Sequence, residues 1–316
     1  MHFLLRLLAF LLVAASAVAQ PRFGEREDRG QLANPQINEA SGLVASRRQP
    51  GLLWTHNDSG DSARVFAIGE NGRDLGVVLL AGTNAIDWED IAIGPGPEPG
   101  RDYLYCGDIG DNNAARQTVQ VYRIAEPAVD TAHPVLWRRV AEVEQFFLRY
   151  PGGPRDAETL MSDPLTGDLI VVTKREDTVH AFRAEAGRLR SGDTIVLEEI
   201  AALPGVTWAV SGEISPDGSE ILVKTYPQIF YYRRNPGESL AQAFTHPPDS
   251  LPYTLEPQGE AVAWADDGSG YYTTSEEAGN VEAHLYFYPR LKPASDVHDH
   301  GSLLPRTTGP DLSRRR

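Results

Sequence analysis

Cysteine is almost missing. Cys106 is the only one in 316 residues, so no intrachain disulfide can form. An exported chain without disulfides must be held by a large core or by metal. Cys106 itself sits in the apolar run YLYC, where a small buried hydrophobe is expected. Basic residues are also in short supply, with 29 Lys and Arg against 44 Asp and Glu and a formal charge of −15. That balance excludes a phosphate-tracking nucleic-acid binder and disfavours anionic lipid. Acidic excess suits solubility and cation binding. Helical periodicity is nearly absent after residue 20, and no later apolar run is long enough to span a bilayer. No G-x-S-x-G, H-E-x-x-H or P-loop occurs, and the glycines of IGPGPEPG are interrupted by three prolines.

The chain begins with MHFLLRLLAFLLVAASAVA, which has Arg6 as a positive start, an apolar stretch and an Ala17-Val18-Ala19 end. These are the parts of a signal peptide spanning 1–19, so cleavage near Ala19 and a secreted or periplasmic location are expected. Residues 291–316 read as a polar, strandless tail, expected to be disordered, in which His298 and His300 are too sparse for a metal tract. Between them, 20–290 reads as one domain.

Hydrophobic residues make up 41% of the chain, enough for a sizeable core, and Gly 29 with Pro 23 suits a fold with many turns. Short apolar or alternating runs such as RVFAI, VQVYRI, LIVVT and EILVKTY are separated by turn residues. The turns DPLTGD, SPDGSE and ADDGSG at 163–168, 215–220 and 265–270 have hairpin chemistry. Many short strands with marked turns predict an all-β fold.

A repeat organises these strands. Five openings recur: Glu39-Ala-Ser-Gly, Asp87-Trp-Glu-Asp, Asp156-Ala-Glu-Thr, Ser211-Gly-Glu-Ile and Gln258-Gly-Glu-Ala. Their third positions are 41, 89, 158, 213 and 260, with spacings of 48, 69, 55 and 47. Units of this size predict a single β-propeller of about five four-stranded blades. Six is the alternative, because the 69-residue gap has room for another. VQVYRI and VEQFFLRY within that gap serve as third and fourth strands of the same blade. The last unit has three clear strands, so an N-terminal strand from 23–37 is expected to close the ring. A closed ring of this kind is expected to be a monomer.

The second strands end in THND, GDIGDN, TKRE, KTYP and TSEE. In an antiparallel pair the end of one strand lies beside the start of the other, so both polar sets should meet at one mouth. The candidate metal ligands are Glu39, Asn57, Asp58, Asp87, Glu89, Asp90, Asp108, Asp156, Glu158, Glu213 and Glu260. Hard oxygen donors of this kind favour Ca²⁺, with Mg²⁺ as the alternative, over zinc. The competing reading is that Lys174, Arg175 and Lys224 neutralise them without metal. Candidate catalytic groups are His56, Lys174 and Lys224. Trp54, Trp88, Trp208 and Trp264 stand near the mouth motifs, where aromatics either flank a ligand or pack between blades. Asn57-Asp-Ser59 forms a glycosylation sequon.

EASGLVAS, LWTHNDSG, DWEDIAIG, GDIGDN, PRDAETL, TKRE, ISPDG and PQGEAVAW, in that order, resemble a family of exported bacterial β-propeller proteins of unassigned function over roughly 35–290. More distantly the chain is similar to phytase-like and TolB-like propellers and to calcium-dependent lactonase and esterase propellers. That likeness implies a calcium-bearing axial site, sometimes with hydrolysis of esters or phosphoesters. The expected function is binding of a small molecule or protein partner at an acidic, Ca²⁺-bearing mouth. The alternative is a calcium-dependent hydrolase of phosphoesters, lactones or esters.

Overall fold

The computed structural model describes residues 22–134, 137–279 and 281–292. The expected signal peptide and all but the first two residues of the expected tail lie outside these. The chain divides into Phe23–Arg290 and a second unit made of the two chain ends; the first is described below. Among the described residues no helix is long and apolar enough to cross a membrane.

Two short strands come first, β1 (Arg22–Phe23) and β2 (Glu27–Gln31). The first blade is β3 (Ala40–Ala45), β4 (Leu52–Asn57), β5 (Arg64–Gly69) and β6 (Asp74–Leu80). The second opens with β7 (Trp88–Pro95), β8 (Asp102–Asp108) and β9 (Val119–Ala125). The chain then leaves to form β10 (Trp137–Val140) and returns for β11 (Glu144–Arg149). The third blade has β12 (Ala157–Ser162), β13 (Leu169–Thr173) and β14 (Val179–Ala184), then an excursion β15 (Thr194–Val196), then β16 (Glu198–Leu203). The fourth is β17 (Ala209–Ile214), β18 (Glu220–Thr225), β19 (Ile229–Arg233) and β20 (Asp249–Leu251). The fifth is β21 (Ala261–Trp264), β22 (Gly270–Thr274) and β23 (His284–Leu291), with β1 and β2 pairing on β23. One four-residue helix, Leu240–Ala243, carries a Ser239–Gln242 capping box.

The fold is therefore a five-bladed propeller whose last sheet is completed by the N-terminal strands, which removes the open edge of the ring. Three sheets carry a fifth strand. β10 runs parallel to β6 on the outside of blade 1, and β15 runs parallel to β11 on the outside of blade 2. The excursion from β9 through β10 accounts for the 69-residue spacing, so no sixth blade is needed.

Each blade has its inner strand first: β3, β7, β12, β17 and β21 stand around the axis as neighbours. Apolar residues fill the layers between blades. Trp54, Trp88 and Trp264 are fully buried there, as is Cys106, whose thiol burial pushes upward. Burying a large apolar side chain contributes roughly 2–3 kcal/mol. Glycines 167, 218 and 268 in the three sequence-marked turns have φ of 76°, 75° and 70°, a conformation that favours glycine. Those turns join first to second strands, so they lie at the end opposite the mouth.

Candidate metal centre

Four of the five inner strands carry a β-bulge at the same place. The register slips between Ala40 and Gly42, Trp88 and Asp90, Ala157 and Thr159, and Ala209 and Ser211. A bulge re-aims the extra side chain. The extra residues are Ser41, Glu89, Glu158 and Val210, and the pairing of Ala261 with Thr274 puts Glu260 at the matching place in blade 5. Just before them, at the lip, stand Glu39, Asp87, Asp156, Trp208 and Gln258. A third set faces these from the ends of the second strands: Asp58, Lys174, Tyr226 and Glu276. Its backbone is fixed by equivalent hydrogen bonds, Asp58 N–H to the Glu39 carbonyl (2.8 Å), Lys174 to Asp156 (3.0 Å) and Glu276 to Gln258 (3.2 Å).

The acids at this mouth fall into two groups. Those near the rim are paired. Arg116 holds Asp108 at 2.8 Å, Arg175 holds Asp156 at 2.6 Å, and Lys174 bonds Glu158. Lys174 also donates to the Tyr226 hydroxyl (3.1 Å), which donates to Glu260 (2.7 Å). The acids at the centre have no ion pair among the described residues. Carboxylate oxygens of Asp58, Asp87 and Glu89 lie within 4.8 Å of one another, and so do those of Asp58, Glu260 and Glu276. Glu89 is 3% exposed, and its side chain has no hydrogen bond or ion pair among the described residues. Burial, then Glu158, Asp58 and Asp87, push it well above the usual carboxylate range. Burial also lifts Asp58 to about 6, Glu276 to about 7 and, against the pull of Lys174, Glu158 to about 8. Gly110 roofs this group: a Cβ there would lie 2.1 Å from Glu89 Oε1 and 2.5 Å from Asp87 Oδ2.

The structure brings Asp58, Asp87 and Glu89 together at one point, with Glu158 and Glu260 beside it. It commits the other expected ligands elsewhere. Asn57 is buried and donates to the Gln36 carbonyl (2.7 Å) and Asp61 (3.0 Å), which also removes the amide of its sequon from the surface. Glu39 is exposed and contributes its carbonyl to Asp58. Asp108 accepts from the Ile86 and Asp87 N–H groups and from Gln120. Asp156 accepts from Asp111 N–H as well as pairing with Arg175. Asp90 lies one layer below the mouth on the axis. It accepts from the N–H groups of Ile91 and Leu160 (both 2.9 Å) and Gly212 (3.3 Å) and from the Ser211 hydroxyl (3.2 Å).

Glu213 is placed at the opposite end. It pairs with Arg47 (3.0 Å) and accepts from Trp264 N–H (2.5 Å). The repeat in blade 4 starts three residues earlier than the Ser-Gly-Glu match suggests, at Trp208-Ala-Val-Ser, so Val210 takes the mouth position. The pairing of Ala209 with Thr225, which matches that of Ala157 with Thr173, corrects the lysines. Tyr226, and not Lys224, is the counterpart of Lys174. Lys224 is buried between blades, donates to the Gly259 carbonyl, and lies 4.3 Å from the Tyr253 ring centroid. His56 is sealed against Trp88, and burial lowers it to about 4, so the imidazole is neutral. Of the four candidate tryptophans, only Trp208 is half-exposed at the mouth.

Sequence reasoning missed Tyr226, Glu276 and Gly110. The first two sit inside the quoted runs KTYP and TSEE, one and two residues past the strand, and nothing in the letters shows how far each second strand runs. The signal for Gly110 is the glycine of GDIGDN, which stands across from Asp87.

No protein-family model matches the sequence, and no curated protein matches it. Solved structures match it at low identity. They include luciferin-regenerating enzyme, at 11% identity and TM-score 0.44, covering 85% of this chain and 95% of that one. A nidogen/laminin complex matches at 11% identity and TM-score 0.45, covering 77% of this chain and 74% of that one. U3-55K matches at 10% identity and TM-score 0.43, covering 85% and 100%. Identities this low do not carry site residues across.

Proposed function

We propose that the protein is an exported binding propeller that holds Ca²⁺ at the mouth between Asp58, Asp87 and Glu89 and presents it to a ligand. The observation that carries this reading is Glu89, a carboxylate 3% exposed that has two acids beside it and no donor. Buried carboxylates without donors are costly unless a cation sits among them. Carboxylates converging from two blades suit the larger, flexible oxygen shell of Ca²⁺ better than the near-ideal octahedron that Mg²⁺ demands. Three carboxylates leave part of a calcium shell open, so the ion would polarise a ligand oxygen there. The chain's own residues would bound that ligand: Lys174, Tyr226 and Glu260 on one side and Trp208 on the lip. A hydrolytic reading, with phosphoesters, lactones or esters as substrates, draws on the same open face and on the Lys174–Tyr226–Glu260 chain beside it.

The test is melting of chelator-treated mature protein with and without Ca²⁺. A cation at a hundredfold excess over its Kd adds on the order of 3 kcal/mol, or roughly 5–10 °C for a domain of this size. Glu89→Gln should abolish the rise. If millimolar Ca²⁺ and Mg²⁺ both leave the transition in place, the acids are not a cation site. A screen of phosphoester and lactone substrates, with and without Ca²⁺, separates binding from hydrolysis.

A further inference from the structure

Trp208 is out of character twice. It occupies the lip position at which the other four blades place Glu39, Asp87, Asp156 and Gln258, all polar. It also holds φ at 58°, in the left-handed region; Gln258, its counterpart in blade 5, does so at 47°, so the turn belongs to the position and the bulky side chain there is what sets Trp208 apart. Its N–H is fixed on the Lys174 carbonyl at 3.2 Å, and the residue stays 47% exposed. Burial therefore does not explain a strained tryptophan here, and strain of this kind is kept where a surface is used. The Arg175 guanidinium lies over the ring at 5.0 Å and Lys174 at 5.8 Å, which limits where the indole can turn.

The chemistry around this ring is one-sided. Asp58, Asp87, Glu89, Glu260 and Glu276 offer acceptors. The donors Lys174, Arg175 and Tyr226 are already given to Glu158, Asp156 and Glu260. A ligand that satisfies the centre must bring donors of its own and an apolar face for the indole. A phosphate or a free carboxylate meets mostly like charge. A neutral ring with neighbouring hydroxyls meets every requirement: its C–H face lies on Trp208, its hydroxyls donate to carboxylates, and two adjacent oxygens complete a cation's shell. The geometry points to Trp208 as the stacking platform of a subsite for a neutral sugar ring at the acidic mouth. This rests on the cation reading above for the ring's second anchor. Glu89, buried and aimed into the mouth without a donor, is the independent sign that something binds there.

The experiment uses a Trp137→Phe background. Trp54, Trp88 and Trp264 are buried, so Trp208 is then the one surface indole among the tryptophans. Emission is followed in 5 mM (roughly) Ca²⁺ while methyl glucoside, galactoside and mannoside are titrated, with glucose 6-phosphate and tetramethylammonium as comparators. At least one glycoside should give a saturable shift, at least tenfold tighter than either comparator. Trp208→Asn, which tolerates the same backbone, should abolish glycoside binding while its Tm stays level or rises. A Tm that falls by several degrees would assign the indole to packing and overturn the inference. So would glycoside binding that survives Trp208→Asn, tighter binding of a comparator, or silence from all three glycosides. Calcium-induced stabilisation, measured on the Trp137→Phe parent that keeps Trp208, keeps the two readings apart. If it persists while no glycoside binds, only the sugar subsite fails; if calcium never stabilises the parent protein, both fall.

Discussion

The propeller axis carries buried acids at three depths, and they are treated in opposite ways. Glu213 at the far end and Asp90 in the middle are fully supplied with donors: Arg47 and Trp264 N–H for the first, three N–H groups and a hydroxyl for the second. Glu89, at the mouth, is as buried as Glu213, each at 3% exposure, and has acids for neighbours instead. Burial alone therefore does not mark a functional carboxylate. Whether backbone donors reach it does. The bulge explains the difference. It turns Glu89 up and out of the ladder, while Asp90, the next residue, points inward to where β12 and β17 present their N–H groups.

The strongest way to break that contrast is to remove Asp90. Asp90→Ala would orphan four buried donors contributed by three blades. A loss of about 3–5 kcal/mol is expected, a fall of roughly 10 °C or more in Tm, whether or not Ca²⁺ is present. Calorimetry that shows a loss below about 1 kcal/mol would mean Asp90 is not the axial staple.

pH should act next most strongly, and on the mouth. Asp58 and Glu158 are lifted to about 6 and about 8 by burial, so the folded state holds their protons more tightly than the unfolded chain does. Their contribution is fully present below the ordinary carboxylate range and is lost as pH rises through the folded values. Chelator-treated protein should therefore lose on the order of 2–3 kcal/mol between pH 5 and 8 (approximate limits). Calcium should flatten the Asp58 share of this slope by taking the place of its proton. The Glu158 share, held against Lys174, and that of Glu213, lifted by burial to about 7 despite Arg47, are the part that calcium leaves behind. Denaturant melts at stepped pH, with and without Ca²⁺, give both slopes. A slope of opposite sign would show the mouth acids ionised and satisfied.

How much of this contrast can be read from the letters follows from the same geometry. Glu89, Glu158 and Glu260 are visible as third positions of a repeat because an acidic side chain there leaves a mark. Blade 4 carries Val210 at that place, with no polar mark, while Ser-Gly-Glu three residues later imitates the pattern. The bulge that separates Glu89 from Asp90 is a matter of register, which adjacent letters do not encode. The ring itself was legible from strand and turn spacing, including the N-terminal closure. The added strands β10 and β15 were not. WRRV and TIV are short, and their parallel pairing reaches back to an earlier blade.

One substitution made at two depths sharpens the comparison further. Glu89→Gln removes a buried charge from among like charges, so without cations it should stabilise by about 1 kcal/mol. Glu213→Gln leaves Arg47, itself nearly buried, without its counter-charge and should destabilise by about 1–2 kcal/mol. With calcium present the Glu89→Gln gain turns into a deficit, and the Glu213→Gln loss is unchanged. Equal signs for the two in chelator would contradict the division between satisfied and unsatisfied acids.

The smallest change tests the mouth without touching a charge. Gly110 has no Cβ, and the atom that alanine would add lies 2.1 Å from Glu89 Oε1 and 2.5 Å from Asp87 Oδ2. No positive φ is involved, so the backbone accepts alanine. The clash is with the far ends of two side chains, which can swing aside, so folding stability should move by less than about 0.5 kcal/mol. Swinging aside, however, moves two of the three converging oxygens and leaves only that of Asp58 in place. Calcium affinity should drop about tenfold, equivalent to roughly 1.4 kcal/mol, as read by calorimetric titration. Asp108 and Arg116, paired at the rim, stay as they are, so Arg116→Gln serves as the control that alters local charge without crowding the centre. If Gly110→Ala binds calcium as tightly as the parent, the ion does not sit between Asp87 and Glu89, and the remaining candidate is the Asp58–Glu260–Glu276 side of the mouth.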